Sequence, residues 1–230
     1  MTELTDVLRP ARHVLLDFDG PVCSVFAGLP APEVARLLYG SLAKEVDDLP
    51  AAWADESDPF VLLHAVADEH PALTPLADAY LAQLEEEAVR VARPTPGAES
   101  LLHACRDTGR AVWVVSNNAG AAISEYLAAH QLHQLVAGVF GRVPGDPSSM
   151  KPNPQLLDDA IRAAGTTARA CVFIGDAARD VEAGTAAGMP TIGYANKPHK
   201  PAKLATAGAA VVTDSMTVIA RAVRDAGQIG

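Results

Sequence analysis

The sequence predicts an α/β protein: a doubly wound, Rossmann-like parallel sheet core with an inserted all-helical cap subdomain. Three observations predict this fold. Short apolar runs alternate with helical patterns, one long segment interrupts the alternation, and acidic or hydroxyl side chains follow several of the apolar runs. Strands that are apolar on both faces and separated by helices are typical of parallel sheets covered on both sides.

Six apolar runs have the length and the composition of buried strands. They cover residues 14–17, 111–116, 137–142, 170–175, 190–194 and 209–212. Helical patterns lie between or beside them, at residues 98–108, 121–131, 154–164, 180–187 and 216–226. Gly109, Gly165 and Gly188 follow three of these patterns, as is common at helix C-termini. The alternation of strands and helices indicates one parallel sheet.

Residues 21–95, the helical insertion, break this alternation. They show no strand pattern, but their apolar residues recur with helical spacing. The sequence Pro94-Thr95-Pro96-Gly97 is typical of a linker that returns to the core. The predicted organisation is therefore a core of residues 1–20 and 96–230 with a helical cap of residues 21–95.

Negative charge is concentrated in the helical insertion. The insertion holds thirteen acidic and four basic residues, and the whole chain has a net charge of −10. This balance argues against nucleic acid and against an anionic membrane as partners. Most of these charges are expected on a solvated surface.

The sequence indicates a cytoplasmic protein. No apolar run reaches the length of a membrane span, and the first residues lack the apolar core of a signal peptide. The three cysteines (Cys23, Cys105 and Cys171) are odd in number and far apart. They fit neither a disulfide framework nor a zinc site, and they suit a reducing compartment.

Polar side chains follow the predicted strands at the edge of the sheet where ligands bind. Asp17 and Asp19 end the first strand, Ser116 and Asn117 end the second, and Asp176 ends the fourth. Two further residues, Lys151 before a helix and Asp180 one turn after Asp176, are expected to converge on the same edge.

Four carboxylates in one crevice repel each other unless a cation neutralises them. Oxygen ligands suit Mg²⁺, which often binds together with a phosphate group. An aspartate oxygen that the metal leaves free can attack phosphorus, and a second carboxyl can act as general acid and base. A lysine and a serine would hold the phosphoryl oxygens.

These motifs resemble those of the haloacid dehalogenase-like hydrolase superfamily. The resemblance implies Asp17 as nucleophile and Asp19 as acid and base in Asp17-Phe18-Asp19-Gly20. It implies phosphate binding by Ser116-Asn117, a catalytic Lys151, and a Mg²⁺ site. The ligands implied for the Mg²⁺ site are Asp17, Asp19, Asp176 and Asp180.

The position of the helical insertion resembles that of phosphoglycolate phosphatase-like and β-phosphoglucomutase-like members of the superfamily. The resemblance implies a Mg²⁺-dependent phosphatase that acts on a small phosphorylated substrate as a monomer or homodimer. A phosphomutase, a 2-haloacid dehalogenase and a non-catalytic phosphate-binding regulatory protein remain alternatives. A phosphonatase is disfavoured because the insertion offers only Lys44 as a Schiff-base lysine.

A basic run at residues 197–203 follows the fifth predicted strand and contains Lys197, Lys200 and Lys203. Its prolines and charges predict a solvated loop. Contact of this run with a substrate is the less favoured interpretation.

Overall fold

The computed structural model describes residues 3–229 and contains one large and one small β-sheet. Its strands are β1 (His13–Leu16), β2 (Cys23–Ser24), β3 (Arg93–Pro94), β4 (Ala111–Ala119), β5 (Gly138–Arg142), β6 (Cys171–Gly175), β7 (Thr191–Tyr194) and β8 (Val211–Thr213). Six strands form a parallel sheet in the order β5-β4-β1-β6-β7-β8. The predicted doubly wound α/β fold is confirmed.

The helices of the described residues lie around this sheet and in the helical insertion. They are α1 (Glu3–Leu8), α2 (Ala31–Leu42), α3 (Ala51–Ala54), α4 (Pro59–Glu69), α5 (Thr74–Arg90), α6 (Ala98–Asp107), α7 (Gly120–Ala129), α8 (Gln155–Ala163), α9 (Ala178–Ala186), α10 (Lys200–Thr206) and α11 (Met216–Asp225). None of them combines the length and the apolar character needed to cross a membrane.

The central strand β1 is buried on both faces because helices cover both sides of the sheet. Successive side chains of a strand point to opposite faces. Val14 and Leu16 accordingly pack in an apolar cluster with α1, α6, α7 and α11. Leu15 packs in a second cluster with α8 and α9. This burial accounts for the continuously apolar sequence of β1.

Helices α2–α5 of the helical insertion share an apolar cluster that includes Leu38, Leu63 and Leu81, and Met150 of the core also packs in it. Strands β2 and β3 pair antiparallel where the chain enters and leaves the insertion. The prediction that residues 21–95 contain no strand is therefore wrong. The two crossing segments lie side by side and pair over only two residues, which is too short for a periodic pattern. The predicted boundaries of the insertion stay predictions.

Two helices and one strand extension differ from the sequence-based expectation. Helix α1 was not predicted, and β4 continues to Ala119, beyond the predicted end at residue 116. The prediction of a loop at residues 197–203 is wrong for its last part, where α10 begins at Lys200. Pro201 lies in the first turn of α10, a position where a proline costs no helical hydrogen bond.

Candidate active site

The carboxyl ends of β1, β4 and β6 meet at the centre of the sheet, because β1 lies between the other two strands. Asp17 follows β1 directly, Asp176 follows β6 directly, and Ser116 lies in the last part of β4. The Asp17 N–H donates to the Ile174 carbonyl at 2.9 Å and so continues the strand pairing by one residue. The parallel sheet thus delivers these side chains to one crevice.

Lys151 joins Asp17 to Asp180 within this crevice. Its Nζ lies 2.8 Å from Oδ1 of Asp17 and 2.7 Å from Oδ1 of Asp180, and it donates to the Val115 carbonyl at 3.2 Å. An ammonium group has three N–H donors, so protein oxygens engage all three. Burial alone would lower the pKa of Lys151, but Asp17 and Asp180 outweigh it and hold that pKa above its ordinary value. The buried lysine is therefore charged.

Asp17 has one engaged and one unengaged carboxylate oxygen. Oδ1 accepts from the Phe18 N–H at 2.8 Å and from Lys151, whereas no residue of the described chain donates to Oδ2. Burial raises the pKa of Asp17 to about 7, Asp180 adds to this effect, and Lys151 opposes it. A bound cation would favour the ionised carboxylate, because an opposite charge nearby lowers the pKa of a carboxyl group.

Asp180 is engaged at both of its carboxylate oxygens. Oδ2 accepts from the N–H groups of Asp176 and Ala177, each at 2.9 Å, and Oδ1 pairs with Lys151. The carboxylate thus fixes the backbone at the start of α9 and holds the lysine in place. Gly175 allows this close approach, because a Cβ there would lie 2.4 Å from the Cβ of Asp180.

The carboxylate of Asp176 contacts side chains of the segment that follows β7. Its Oδ2 accepts from Nδ2 of Asn196 at 2.8 Å and also pairs with Lys200. Oδ1 has no donor within residues 3–229. Burial raises the pKa of Asp176, and Lys200 opposes this shift. Sequence reasoning missed Lys200 as a site residue, although its position after a predicted strand was the available signal.

Asp19 lies in the tight turn that leads from β1 into the helical insertion. Its Oδ1 accepts from the Val25 N–H at 2.9 Å, and burial raises the pKa of Asp19 to about 6. The next residue, Gly20, has a φ of +109°, and a Cβ there would lie 2.3 Å from Oδ2 of Asp176. A side chain at this position would therefore both strain the turn and displace Asp176.

Three of the predicted carboxylates form a group that fits a divalent cation. Asp17, Asp176 and Asp180 each offer an oxygen within 4.8 Å of the others, and all three are buried. A buried set of hard oxygen ligands suits Mg²⁺. Asp19, predicted as a fourth ligand, lies outside this group, and its carboxylate contacts the Val25 N–H instead.

The predicted phosphate-binding residues have different neighbours. Ser116 is buried and exchanges hydrogen bonds with Asn118. The Asn117 amide accepts from the Lys151 N–H at 2.8 Å and donates to the Lys151 carbonyl at 3.1 Å. Its side chain therefore holds the backbone of the lysine, and its predicted contact with a substrate stays a prediction.

All seven predicted site residues line one cavity of about 50 Å³. Four further residues line it and were not predicted: Phe60 from α4, Asn118, Ala177, and Arg179 from α9. The Arg179 guanidinium lies 5.9 Å from the centre of the Phe60 ring. Phe60 belongs to an apolar helix whose sequence pattern does not distinguish a cavity wall from a core residue. The small space accommodates a group of only a few heavy atoms.

Comparison with known proteins gives a consistent result. A family model described as haloacid dehalogenase-like hydrolase matches residues 61–194, which is more than half of the chain. The chain is 30% identical over 142 residues to a phosphoglycolate phosphatase from Xylella fastidiosa, covering 56% of this chain and 58% of that protein. It is 29% identical over 153 residues to an N-acetylmuramic acid 6-phosphate phosphatase from Pseudomonas aeruginosa, covering 64% of each.

The chain thus spans about three fifths of the length of these curated relatives. A predicted phosphatase from Clostridium acetobutylicum has a solved structure that superimposes with a TM-score of 0.73 at 17% identity. The superposition covers 94% of this chain and 99% of that one. At this identity the likeness establishes the fold alone.

Proposed function

The chain belongs to the haloacid dehalogenase-like hydrolase family, and from that premise we propose that it is a Mg²⁺-dependent phosphatase. In this proposal it hydrolyses a small phosphorylated metabolite through an aspartyl-phosphate on Asp17. Two curated relatives are named as phosphatases of small phosphorylated compounds, which supports this class of substrate.

One observation carries the proposal: Asp17, which has one unengaged carboxylate oxygen, lines a cavity together with the groups that phosphoryl transfer requires. Lys151 and the Phe18 N–H hold Oδ1, so Oδ2 is the oxygen available for attack. Asp19 and Ser116 line the same cavity. A fixed nucleophile beside an acid and a hydroxyl group supports catalysis by positioning and by charge neutralisation.

In the first step, Oδ2 of Asp17 attacks the phosphorus atom, and the bond from phosphorus to the leaving oxygen breaks. Protonated Asp19 gives its proton to that oxygen, so an alcohol leaves and Asp17 carries the phosphoryl group. In the second step, ionised Asp19 accepts a proton from water as the water oxygen attacks phosphorus. The bond to Oδ2 then breaks, inorganic phosphate leaves, and both carboxyl groups return to their starting states.

The environment of Asp19 suits this exchange of roles. A carboxyl group with a pKa of about 6 can both give and accept a proton near neutral pH. Lys151 neutralises part of the charge that gathers around Asp17 and Asp180. Ser116 lines the cavity, and its hydroxyl proton, which Asn118 Oδ1 accepts in this structure, would turn to a phosphoryl oxygen on binding. Asp17, Asp176 and Asp180 would hold Mg²⁺, which when bound would neutralise negative charge on the phosphoryl group.

In this proposal the helical insertion covers the active site. Phe60 brings an apolar ring from α4 to the cavity wall, where it limits access of bulk water. A leaving group that extends beyond the cavity would therefore contact the insertion, so the insertion is expected to select the substrate.

The test is the release of inorganic phosphate from a panel of substrates, with Mg²⁺ or with EDTA. The panel contains p-nitrophenyl phosphate, hexose phosphates, phosphoglycolate and N-acetylmuramic acid 6-phosphate. We expect turnover that needs Mg²⁺, and a loss of at least about a thousandfold in Asp17→Asn, because that variant lacks the nucleophile. Acid quenching followed by peptide mass spectrometry should find the phosphoryl group on Asp17.

Asp225→Asn is the matched control, since Asp225 is exposed at the end of α11 and should be replaceable without effect. Turnover that persists in EDTA, or in Asp17→Asn, contradicts the proposed mechanism. Conversion of a phosphosugar into its isomer without phosphate release would instead identify a phosphomutase, and halide release from a 2-haloacid would identify a dehalogenase.

A further inference from the structure

A buried cluster of charges joins helix α5 of the helical insertion to the core. Arg142 in β5 donates from Nη1 and Nη2 to the two carboxylate oxygens of Glu85, at 3.1 and 3.0 Å, and it also pairs with Asp78. The side chain of Glu85 is completely buried and that of Arg142 is 1% exposed. Burial opposes the charge of Arg142, but Glu85 and Asp78 hold its pKa above the ordinary value. The buried arginine is therefore charged.

Glu85 also contacts the segment that follows Ser116. Its Oε1 accepts from Nδ2 of Asn118 at 2.9 Å, and its Oε2 accepts from the Ala119 N–H at 3.0 Å. The first contact fixes the orientation of the Asn118 amide, whose Oδ1 then accepts from the Ser116 hydroxyl at 3.1 Å. A carboxylate of the insertion is thus connected through one side chain to the predicted phosphate-binding serine.

The backbone of this segment needs such support, because the pairing between β4 and β5 is interrupted there. Regular pairing ends at Val115 and resumes only at Ala119, which lies opposite Arg142. Across the gap, Arg142 donates to the Asn117 carbonyl at 2.8 Å and Glu85 accepts from the Ala119 N–H. Side-chain contacts therefore take the place of the missing strand pairing.

We propose that Glu85, with Arg142 as its counter-charge, is a positioning residue for the phosphate-binding segment 116–119. The phosphate affinity of the core then depends on a residue of the insertion that does not line the active-site cavity. The inference rests on the proposed function, because it assumes that this segment binds the phosphoryl group. Residues that orient metal ligands through hydrogen bonds typically change metal affinity or activity by about 10–100-fold when replaced, and we expect an effect at the lower end of this range here.

Asp78 offers a matched control for Glu85. Both residues lie on α5, both are buried, and both pair with Arg142. Asp78 otherwise accepts from the Gly145 N–H at 3.0 Å, far from residues 116–119 in the chain. Asp78→Asn therefore weakens the same buried cluster without removing a contact to the phosphate-binding segment.

The experiment is calorimetric titration of inorganic phosphate into the Mg²⁺-loaded full chain, together with titration of Mg²⁺ alone. We expect Glu85→Gln to weaken phosphate binding about tenfold and to leave the Mg²⁺ affinity within twofold of wild type. Asp78→Asn should keep both affinities within twofold. A merely structural role of Glu85 would shift both variants alike.

A second variant keeps the test decisive if Glu85→Gln does not fold. Asn118→Ala removes the side chain that links Glu85 to Ser116 and should also weaken phosphate binding about tenfold. Unchanged phosphate affinity in Glu85→Gln, or in Asn118→Ala where Glu85→Gln does not fold, overturns the inference alone. Equal losses in Glu85→Gln and Asp78→Asn also overturn it. A wild-type chain that binds no phosphate overturns the proposed function as well.

Discussion

Replacement of Lys151 by methionine tests the central electrostatic feature of the site. The lysine side chain is 2% exposed and pairs with two carboxylates that are themselves buried. Methionine has a similar volume, so the substitution removes a charge and leaves no large cavity. It also keeps a favourable contact with the Phe173 ring, which lies 5.3 Å from the lysine Nζ.

The expected loss of stability in Lys151→Met depends on the hydrogen bonds that the Asp17 and Asp180 carboxylates keep. Removal of one partner from a buried ion pair typically costs 3–5 kcal/mol. Asp17 keeps the Phe18 N–H as a donor, and Asp180 keeps two backbone N–H donors. The free energy of unfolding of Lys151→Met at pH 8 without metal should therefore fall by about 3 kcal/mol, the lower end of that range.

The loss should depend on pH in a defined direction. Asp17 has a folded-state pKa of about 7, above that of an unfolded aspartate, so its ionisation costs stability as the pH rises through 7. Without Lys151 this pKa rises further, and each additional unit costs about 1.4 kcal/mol above the folded-state pKa. At pH 5.5, Asp17 is protonated in both proteins, so the loss should fall to about half.

Urea unfolding in EDTA at pH 5.5 and pH 8 measures both quantities. Lys203→Met is the control, because Lys203 is exposed on α10 and its replacement should change the free energy of unfolding by less than about 0.5 kcal/mol. A loss below about 1 kcal/mol at pH 8, or a larger loss at pH 5.5 than at pH 8, contradicts this prediction.

Three further predictions follow from the same contacts. Gly20→Ala should weaken Mg²⁺ binding at least about tenfold in calorimetry, since its Cβ meets Asp176. Gly145→Ala is the control, because Gly145 also has a positive φ but a Cβ there meets nothing within 4 Å, and similar Mg²⁺ affinities in the two variants contradict the prediction. Mg²⁺ affinity should rise between pH 5.5 and 8, because carboxyls with raised pKa, such as Asp17 at about 7, must lose their protons; a flat profile contradicts this. Arg142→Met should lower the free energy of unfolding by about 3–5 kcal/mol, because it leaves two buried carboxylates without their counter-charge. Arg90→Met at an exposed ion pair is the control, with an expected loss of ~1 kcal/mol, and a loss in Arg142→Met no larger than that contradicts the prediction.

The sheet and most of the candidate site could be predicted from the sequence, because each signal is local. Strand β1 has a continuous apolar run, and Asp17 stands out as a charge immediately after it. Parallel pairing then brings the carboxyl ends of β4 and β6 to the same place as that of β1, and this can be predicted without knowing the side-chain contacts. The seven predicted residues line one cavity for this reason.

The remaining site residues depend on contacts between distant parts of the chain. Lys200 pairs with a residue 24 positions away, and Arg142 pairs with one 64 positions away. Phe60 belongs to the same apolar cluster as the buried residues that follow it in α4. Apart from the position of Lys200 after a predicted strand, no local pattern distinguishes these residues from solvated charges or core side chains, since their partners are set by tertiary packing.

The acidic residues of the helical insertion also show that composition alone does not identify the residues that contact the core. Eleven of its thirteen acidic residues are at least partly exposed, as expected for a solvated surface. The other two, Asp78 and Glu85, are buried on one helix and converge on a single arginine of the core. Two buried carboxylates cost more than one guanidinium returns unless hydrogen bonds satisfy the remaining oxygens. Those hydrogen bonds come from Asn118, Ala119 and Gly145. The contacts that offset the cost of burying the two carboxylates therefore also fix residues 118 and 119 beside the candidate active site.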